Sequence, residues 1–157
     1  MFDLFKKEKK CLMAPVSGNI IKLSDVKDEV FSSGMMGIGL AIEPSEDVFV
    51  APCQGVITVI PKTKHAFGMK LSNGLEVLVH IGMDTVNLGG QGFEVLVNEG
   101  QKVTMGTPII RVDMEFFKEK NISLVTPIII LNHSDYSIKI LVDEGKCISK
   151  ETEIIKF

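Results

Sequence analysis

The sequence predicts an all-β protein, a sandwich with barrel-like closure built from two related halves. Three observations carry that expectation. The apolar residues come in short, β-branched runs bounded by Gly, Pro, Asn, Asp or Ser: Ile38–Ile42, Val48–Ala51, Val56–Ile60, Ile109–Val112, Ile128–Leu131 and Ile138–Val142. The chain repeats itself: Ala14-Pro15-Val16-Ser17-Gly18-Asn19-Ile20 recurs 37 residues on as Ala51-Pro52-Cys53-Gln54-Gly55-Val56-Ile57. Helical periodicity is confined to Met114–Lys120, about two turns at most by the 3.6 period.

At 157 residues the length fits one domain and buries roughly 68–70% of the unfolded surface, enough for a core without staples. We expect a tail over 1–11 and a single domain over 12–157. Net charge is −3, with Lys and Arg scattered beyond the N-terminus, which argues against nucleic acid as a partner. The three cysteines, Cys11, Cys53 and Cys147, lie far apart in sequence, and reduced thiols in a cytosolic protein are expected. No apolar run approaches the ~18–20 residues of a membrane span, and MFDLFKKEKK lacks the apolar stretch of a signal peptide.

In chain order, the tail places Phe2, Leu4 and Phe5 before the lysines of Lys6–Lys10. It reads as a solvated, flexible segment, or as a basic amphipathic one making weak contact with an anionic membrane surface. From Leu12 the strands begin. In each copy of the Ala-Pro motif, Pro fixes the entry to a turn and Gly supplies positive φ before a strand. A second repeat, Glu99-Gly100 with Val103, Thr107, Ile109 and Ile110, recurs 45 residues on at Glu144-Gly145, Ile148, Thr152, Ile154 and Ile155. Two copies of each motif suggest paired halves closing on one another.

The stretch TKHAFGMKLSNGLEVLVHIGMD, Thr63 to Asp84, reads as a hairpin, because Asn-Gly between alternating runs favours a two-residue type I′ turn. With Asn73 and Gly74 as the loop, Ser72 pairs with Leu75 and Phe67 stands opposite His80. Period-2 alternation then gathers His65, Phe67, Met69, Leu78 and His80 on one face. Ala66, Gly68, Leu75, Val77, Val79 and Ile81 form the other, core face. His133, in Leu131-Asn132-His133-Ser134-Asp135, reads as a solvated loop residue, and Gly89-Gly90-Gln91-Gly92 as a flexible loop.

The chain lacks a P-loop, a kinase signature, a dinucleotide-binding glycine motif and a G-x-S-x-G nucleophile turn. Chemistry therefore falls to His65 and His80. A neutral His80 with one ring nitrogen pinned offers the other to an electrophile. His65, oriented by the Thr63 hydroxyl, would hydrogen-bond an incoming phosphoryl oxygen, and phosphoryl transfer needs little beyond such positioning. Phe67, Met69 and Leu78 would make an apolar docking patch. Two other classes compete: a zinc-dependent hydrolase on His65, His80 and Asp84, and a non-enzymatic regulatory module binding proteins through the same patch. The sequence offers the hydrolase no third ligand on a neighbouring strand and no general-base Glu.

Lys64-His65-Ala66-Phe67 and Val79-His80-Ile81-Gly82-Met83-Asp84-Thr85-Val86 resemble the glucose-type enzyme IIA family of the bacterial sugar phosphotransferase system. So do Ala51-Pro52 with Gly55, Gly90-Gln91-Gly92-Phe93, Glu99-Gly100-Gln101 with Val103, and Leu124-Val125-Thr126-Pro127. The resemblance runs from about Leu12 to the C-terminus. It implies a compact antiparallel β sandwich, the duplicated hybrid motif. It implies that His80 takes a phosphoryl group on Nε2 from the phosphohistidine of the phosphocarrier HPr. His80 would then pass it to the cysteine of a IIB domain in a membrane sugar permease. His65 would be the second active-site histidine and Thr63 its hydroxyl partner. Asp28 and Asp84 would flank the site, and Phe31 would join an apolar docking ring with Phe67 and Leu78. No resident cofactor is implied; family members form a zinc site from the two histidines when a partner supplies a carboxylate, so His65 and His80 would bind zinc only at a partner interface. The protein is expected to be cytoplasmic and free-standing, with partners in trans and at most transient membrane association. Where the family usually has Gly-Asp-Gly, this chain has Gly37-Ile38-Gly39, and an acidic residue expected near Ser134 falls instead at Asp135.

Overall fold

The repeated Ala-Pro motif is where the two halves hold each other. In the computed structural model, which describes residues 10–157, Met13 N–H donates to the Pro52 carbonyl and Val50 N–H to the Pro15 carbonyl, both at 2.8 Å. These are the same bond made twice, once from each copy. The second repeat joins in: Ala14 N–H donates to Thr152 O (2.8 Å) and Ala51 N–H to Thr107 O (2.9 Å). Each proline, having no N–H, offers only a carbonyl, and the partner copy uses it.

Fourteen strands follow among the described residues: β1 (Cys11–Met13), β2 (Gly18–Lys22), β3 (Ile38–Pro44), β4 (Val48–Val50), β5 (Gly55–Val59), β6 (Ala66–Lys70), β7 (Glu76–His80), β8 (Phe93–Val95), β9 (Lys102–Val103), β10 (Pro108–Val112), β11 (Thr126–Ile130), β12 (Lys139–Ile140), β13 (Gly145–Cys147) and β14 (Glu153–Lys156). Two short helices, α1 (Glu29–Ser32) and α2 (Met114–Glu119), and 3-10 turns at Leu23–Asp25, Thr85–Leu88 and His133–Asp135 complete the described chain. The expected helix is α2, while α1 is too short to leave a periodic signal. The expected strand Ile138–Val142 shrinks to β12.

Every strand pair is antiparallel. One sheet has eight strands in the order β13-β2-β3-β11-β7-β6-β5-β9, and two have three, β1-β14-β12 and β4-β10-β8. The large sheet reads the same from both ends once β2 is matched to β5, β3 to β6 and β11 to β7. The sequence repeat is thus a pseudo-twofold between β11 and β7. The halves differ most near the site in one connection: β2 reaches β3 through 23–37, whereas β5 reaches β6 through 60–65.

The large sheet is covered on both faces. Ile20, Leu40, Ile42, Val77, Val79, Ile128 and Ile130 point into the main core, which also takes Leu12, Phe49, Ile109, Ile110 and Ile155 from the small sheets. The alternate residues Ile21, Ala41, Leu78 and Ile129 belong to a second, smaller cluster capped by Leu23, Val26, Phe31 and Met36 from the long connection. β11 is buried at every position, which explains why the run beginning at Ile128 is apolar without alternation.

The hairpin register differs from the two-residue expectation. Ala66 pairs with His80, Phe67 with Val79 and Gly68 with Leu78. Ser72, Asn73 and Gly74 form a three-residue loop in which Leu71 N–H donates to Leu75 O and Gly74 N–H to Leu71 O, each at 2.9 Å. Only Gly74 takes positive φ, +91°. Asn73 instead spends its Oδ1 on Leu75 N–H at 3.1 Å. A one-residue shift exchanges faces. Phe67 and Met69 therefore enter the main core, at 0% and 1% exposure, and take no part in a docking patch.

The β1 strand starts at Cys11, and Lys10 O accepts from Phe157 N–H at 2.9 Å, so sheet structure begins inside the stretch expected to be tail. The membrane-contact expectation concerns residues 1–9, outside those described. Among the described residues no helix is long and apolar enough to cross a membrane.

Candidate functional site

His80 is the last residue of β7 and lies on the face of Leu78 and Ile129, the face capped by the long connection. The connection reaches it through α1. Asp28, in an extended conformation, accepts Val30 N–H at 2.9 Å as the N-cap. That fixes one helical turn and turns Phe31 inward, with its ring centroid 4.9 Å from that of His80.

His65 comes from the short connection. It stands in a bend before β6, and the preceding Lys64 has φ +60°. Strict alternation from β6 would aim His65 into the main core; a residue outside the strand escapes that rule. Its carbonyl accepts Ile81 N–H at 2.7 Å, which places the two histidine segments side by side. The rings meet edge to face, centroids 4.9 Å apart and planes at 77°. The expected convergence is present, although the register that led to it was off by one. Thr63 Oγ1 lies 2.7 Å from His65 Nδ1, the orienting contact expected of that hydroxyl.

Electrostatics keep both rings neutral at pH 7. Burial lowers the His65 pKa, and the Thr63 backbone only partly offsets this. His80 is lowered to about 4, by desolvation first and by neighbouring His65 second. The Gly82 backbone and the Asp28 charge favour the protonated ring without prevailing. His80 Nδ1 is buried and forms no regular hydrogen bond among the described residues. The residue as a whole is only half-buried, so part of the ring remains accessible.

Of the remaining expected residues, Leu78 is half-buried in the second cluster, and Asp84 is exposed at φ +57°, leading into the Thr85–Leu88 turn. Phe31 is 4% exposed, so it bears on the site through His80 more than through its own surface. His133 is half-buried in its 3-10 turn, away from full solvation. Sequence reasoning passed over the apolar groups around α1: Val30 and Met35 are exposed, the latter at 82%, while Met36 and Met83 pack on the second cluster. The capped turn Asp28-x-x-Phe31 was the available signal.

Among the described residues no three His, Cys, Asp or Glu side chains converge as a metal site, so Asp84 does not complete the ligand set a zinc hydrolase needs. Two imidazoles supply only half of a four-coordinate zinc shell, and zinc on His65 and His80 would require ligands from a partner.

Comparison with known proteins finds relatives over most of the chain. Residues 10–136 match the family described as phosphoenolpyruvate-dependent sugar phosphotransferase system, EIIA 1. The glucose-specific EIIA component of Staphylococcus aureus (strain Mu50) is 44% identical over 144 residues, covering 92% of this chain and 87% of that protein. The same component of Staphylococcus epidermidis is 44% identical over 145 residues with the same coverage. Among solved structures, glucose permease IIA from Mycoplasma capricolum superposes with a TM-score of 0.86 at 40% identity, covering 96% of this chain and 97% of that one.

Proposed function

The chain belongs to the EIIA 1 family of the phosphoenolpyruvate-dependent sugar phosphotransferase system, whose members are phosphoryl carriers, and from that premise we propose that His80 is the residue that carries the group. The supporting observation is the imidazole pair, 4.9 Å between centroids, with the His65 ring held by Thr63 at 2.7 Å.

The donor is the phosphohistidine of HPr. Neutral His80 attacks phosphorus through Nε2; the N–P bond to the donor imidazole breaks and a new one forms to His80. The Nδ1 proton stays in place, so the His80 ring becomes cationic while the donor ring returns to neutral. A Thr63 hydroxyl that donates to His65 Nδ1 leaves Nε2–H of His65 free to hydrogen-bond a phosphoryl oxygen. The cysteine thiolate of a IIB domain then attacks phosphorus and restores neutral His80. The nearby apolar groups exclude water, which would otherwise hydrolyse the phosphoryl group. Asp28, Asp84, Leu78 and the exposed Val30 and Met35 form the partner-facing rim. The sugar is glucose, by the names of the relatives, and the exchange takes place at the cytoplasmic face of the permease. Neither step uses a nucleotide or a resident metal.

Incubation with phosphorylated HPr tests the proposal. Acid-labile, base-stable label should appear on His80 and vanish in His80→Gln. His65→Gln should accept the group yet pass it to IIB at least about tenfold more slowly, as expected when a positioned hydrogen-bond donor is lost. Label that persists in His80→Gln would refute the assignment, and unimpaired onward transfer by His65→Gln would remove His65 from the mechanism.

A further inference from the structure

Strand alternation alone would turn His65 away from His80, and the pseudo-twofold shows where it would go. Ile20 pairs with Ile42 as Ile57 pairs with Met69, so β3 maps onto β6 with Ile38 as the counterpart of His65 and Gly37 as that of Lys64. Ile38 opens β3, pairs with Ile130 and packs on the main core. His65 leaves that path and meets the His80 ring instead. The departure falls at residue 64. Both copies have positive φ at this position, but to different degrees: +148° at Gly37 and +60° at Lys64. A lysine at +60° is strained, because its Cβ crowds the following carbonyl. Asn121, another such residue, sits just past α2, where helices customarily end this way. Lys64 instead closes a tight turn, its N–H donating to Pro61 O at 2.9 Å. Its side chain lies along bare backbone: a Cβ built on Gly90 would be 3.5 Å from Lys64 Cδ and 3.8 Å from Cε.

We propose that Lys64 is a positioning residue for His65: its left-handed backbone turns the imidazole out of the core-facing alternation and folds Thr63 back onto the ring, while its stem on Gly90 keeps the bend from opening. The inference rests on the carrier reading of the two histidines given above. Two extended residues span roughly 6.6 Å. A left-handed residue between Thr63 and His65 shortens that span, which lets the Thr63 hydroxyl reach Nδ1 at 2.7 Å. Glycine would take the same φ without strain, as in the other copy, but it would also leave the bend free to relax. Strain kept at this position suits a site whose hydrogen-bond donor must be in place before transfer begins. The work falls to the backbone and methylenes of Lys64 and not to its ammonium group.

The test uses three variants. Lys64→Met keeps an unbranched stem and loses the charge; Lys64→Gly tolerates the φ and loses the stem; Lys64→Ile has a branched Cβ that resists positive φ. Cross-relaxation between the ring protons of His65 and His80 reports the bend. Transfer from phosphorylated HPr to His80, and from His80 to IIB, reports each step separately. Lys64→Met should keep the ring contact and stay within about twofold of wild type in both steps. Lys64→Gly should melt as high as wild type and accept the group normally, yet lose most of the ring contact and pass the group on about threefold more slowly or worse. Lys64→Ile should lose the contact and slow onward transfer about tenfold, as His65→Gln does. A ring contact unchanged in both Lys64→Gly and Lys64→Ile overturns the inference. So does a loss in Lys64→Met equal to that in Lys64→Ile, which would assign the role to charge. Should Lys64→Ile fail to fold, Lys64→Gly decides alone. Absence of label on wild-type His80 refutes the carrier reading instead, and the ring contact still decides the role of Lys64.

Discussion

Protonating His80 in the folded protein places charge on a ring that has lost most of its water and lies 4.9 Å from a second imidazole. Its pKa is about 4 when folded and 6.5 as an ordinary histidine. Between those values the unfolded chain binds a proton that the native ring does not, so stability falls as pH drops from 6.5 to about 4. At about 1.4 kcal/mol per unit this single group contributes on the order of 3 kcal/mol, fully present above pH 6.5. Urea denaturation across that range should show the slope, and His80→Gln should lose most of it, with His65 supplying the remainder. Single-turnover acceptance from phosphorylated HPr should likewise hold its rate down to about pH 5, rather than halving near 6.5, once the donor's own titration is subtracted. Little of this was legible in the sequence. The two histidines and Thr63 could be named from their spacing, but depressed basicity comes first from burial and then from His65, and Phe31, which packs on the ring, lies far from them along the chain.

Two short elements decide what the site looks like. α1 depends on its cap: Asp28 accepts Val30 N–H and also lends negative charge to His80. Substitution separates the two roles. Asp28→Asn keeps a competent cap and loses the charge, so the His80 pKa should fall further with little change in melting temperature. Asp28→Ala should lower the pKa similarly and also cost about 1 kcal/mol, roughly 2–4 °C in a chain of this size. Histidine proton shifts against pH measure the first effect and thermal melts the second. The hairpin turn is the other element. Asn73-Gly74 announced a turn correctly, but its length depended on where Asn73 sent its side chain, and that choice moved Phe67 from the supposed docking face into the core. Gly74→Ala should destabilise by about 1–2 kcal/mol, because φ is +91° there and a Cβ would stand 2.8 Å from the Tyr136 hydroxyl. A temperature melt checks it, and an unchanged midpoint would mean that the turn tolerates a different conformation.

At the level of the whole molecule, the repeated Ala-Pro and Glu-Gly motifs disclosed the duplication, and the β-branched runs disclosed most of the strands. The sequence could not disclose that the central sheet is covered twice. That depends on 23–36 folding back over Ile129 and Ala41, and such a segment has no periodicity of its own. Double coverage also sets how tightly β3 and β11 approach. A Cβ on Gly39 would lie 1.8 Å from Ile128 O, so Gly39→Ala should cost about 3 kcal/mol or more and disturb both clusters. Amide exchange should then quicken in β3 and β11 together; exchange confined to the edge strands would contradict this account.

The unequal connections have a consequence for where reactivity can arise. Carrying β3 onto β6 and β11 onto β7 matches the pair Gly39–Ile129 to the pair Ala66–His80. Ile129 is therefore the counterpart of His80, at the same crossing in the other copy. A histidine there would be sealed under the hood that 23–36 forms, out of reach of any protein donor, while its twin stands at the edge of that hood, touched by Phe31 yet only half-buried. The scaffold was written twice, and a difference in loop length left only one copy able to do chemistry.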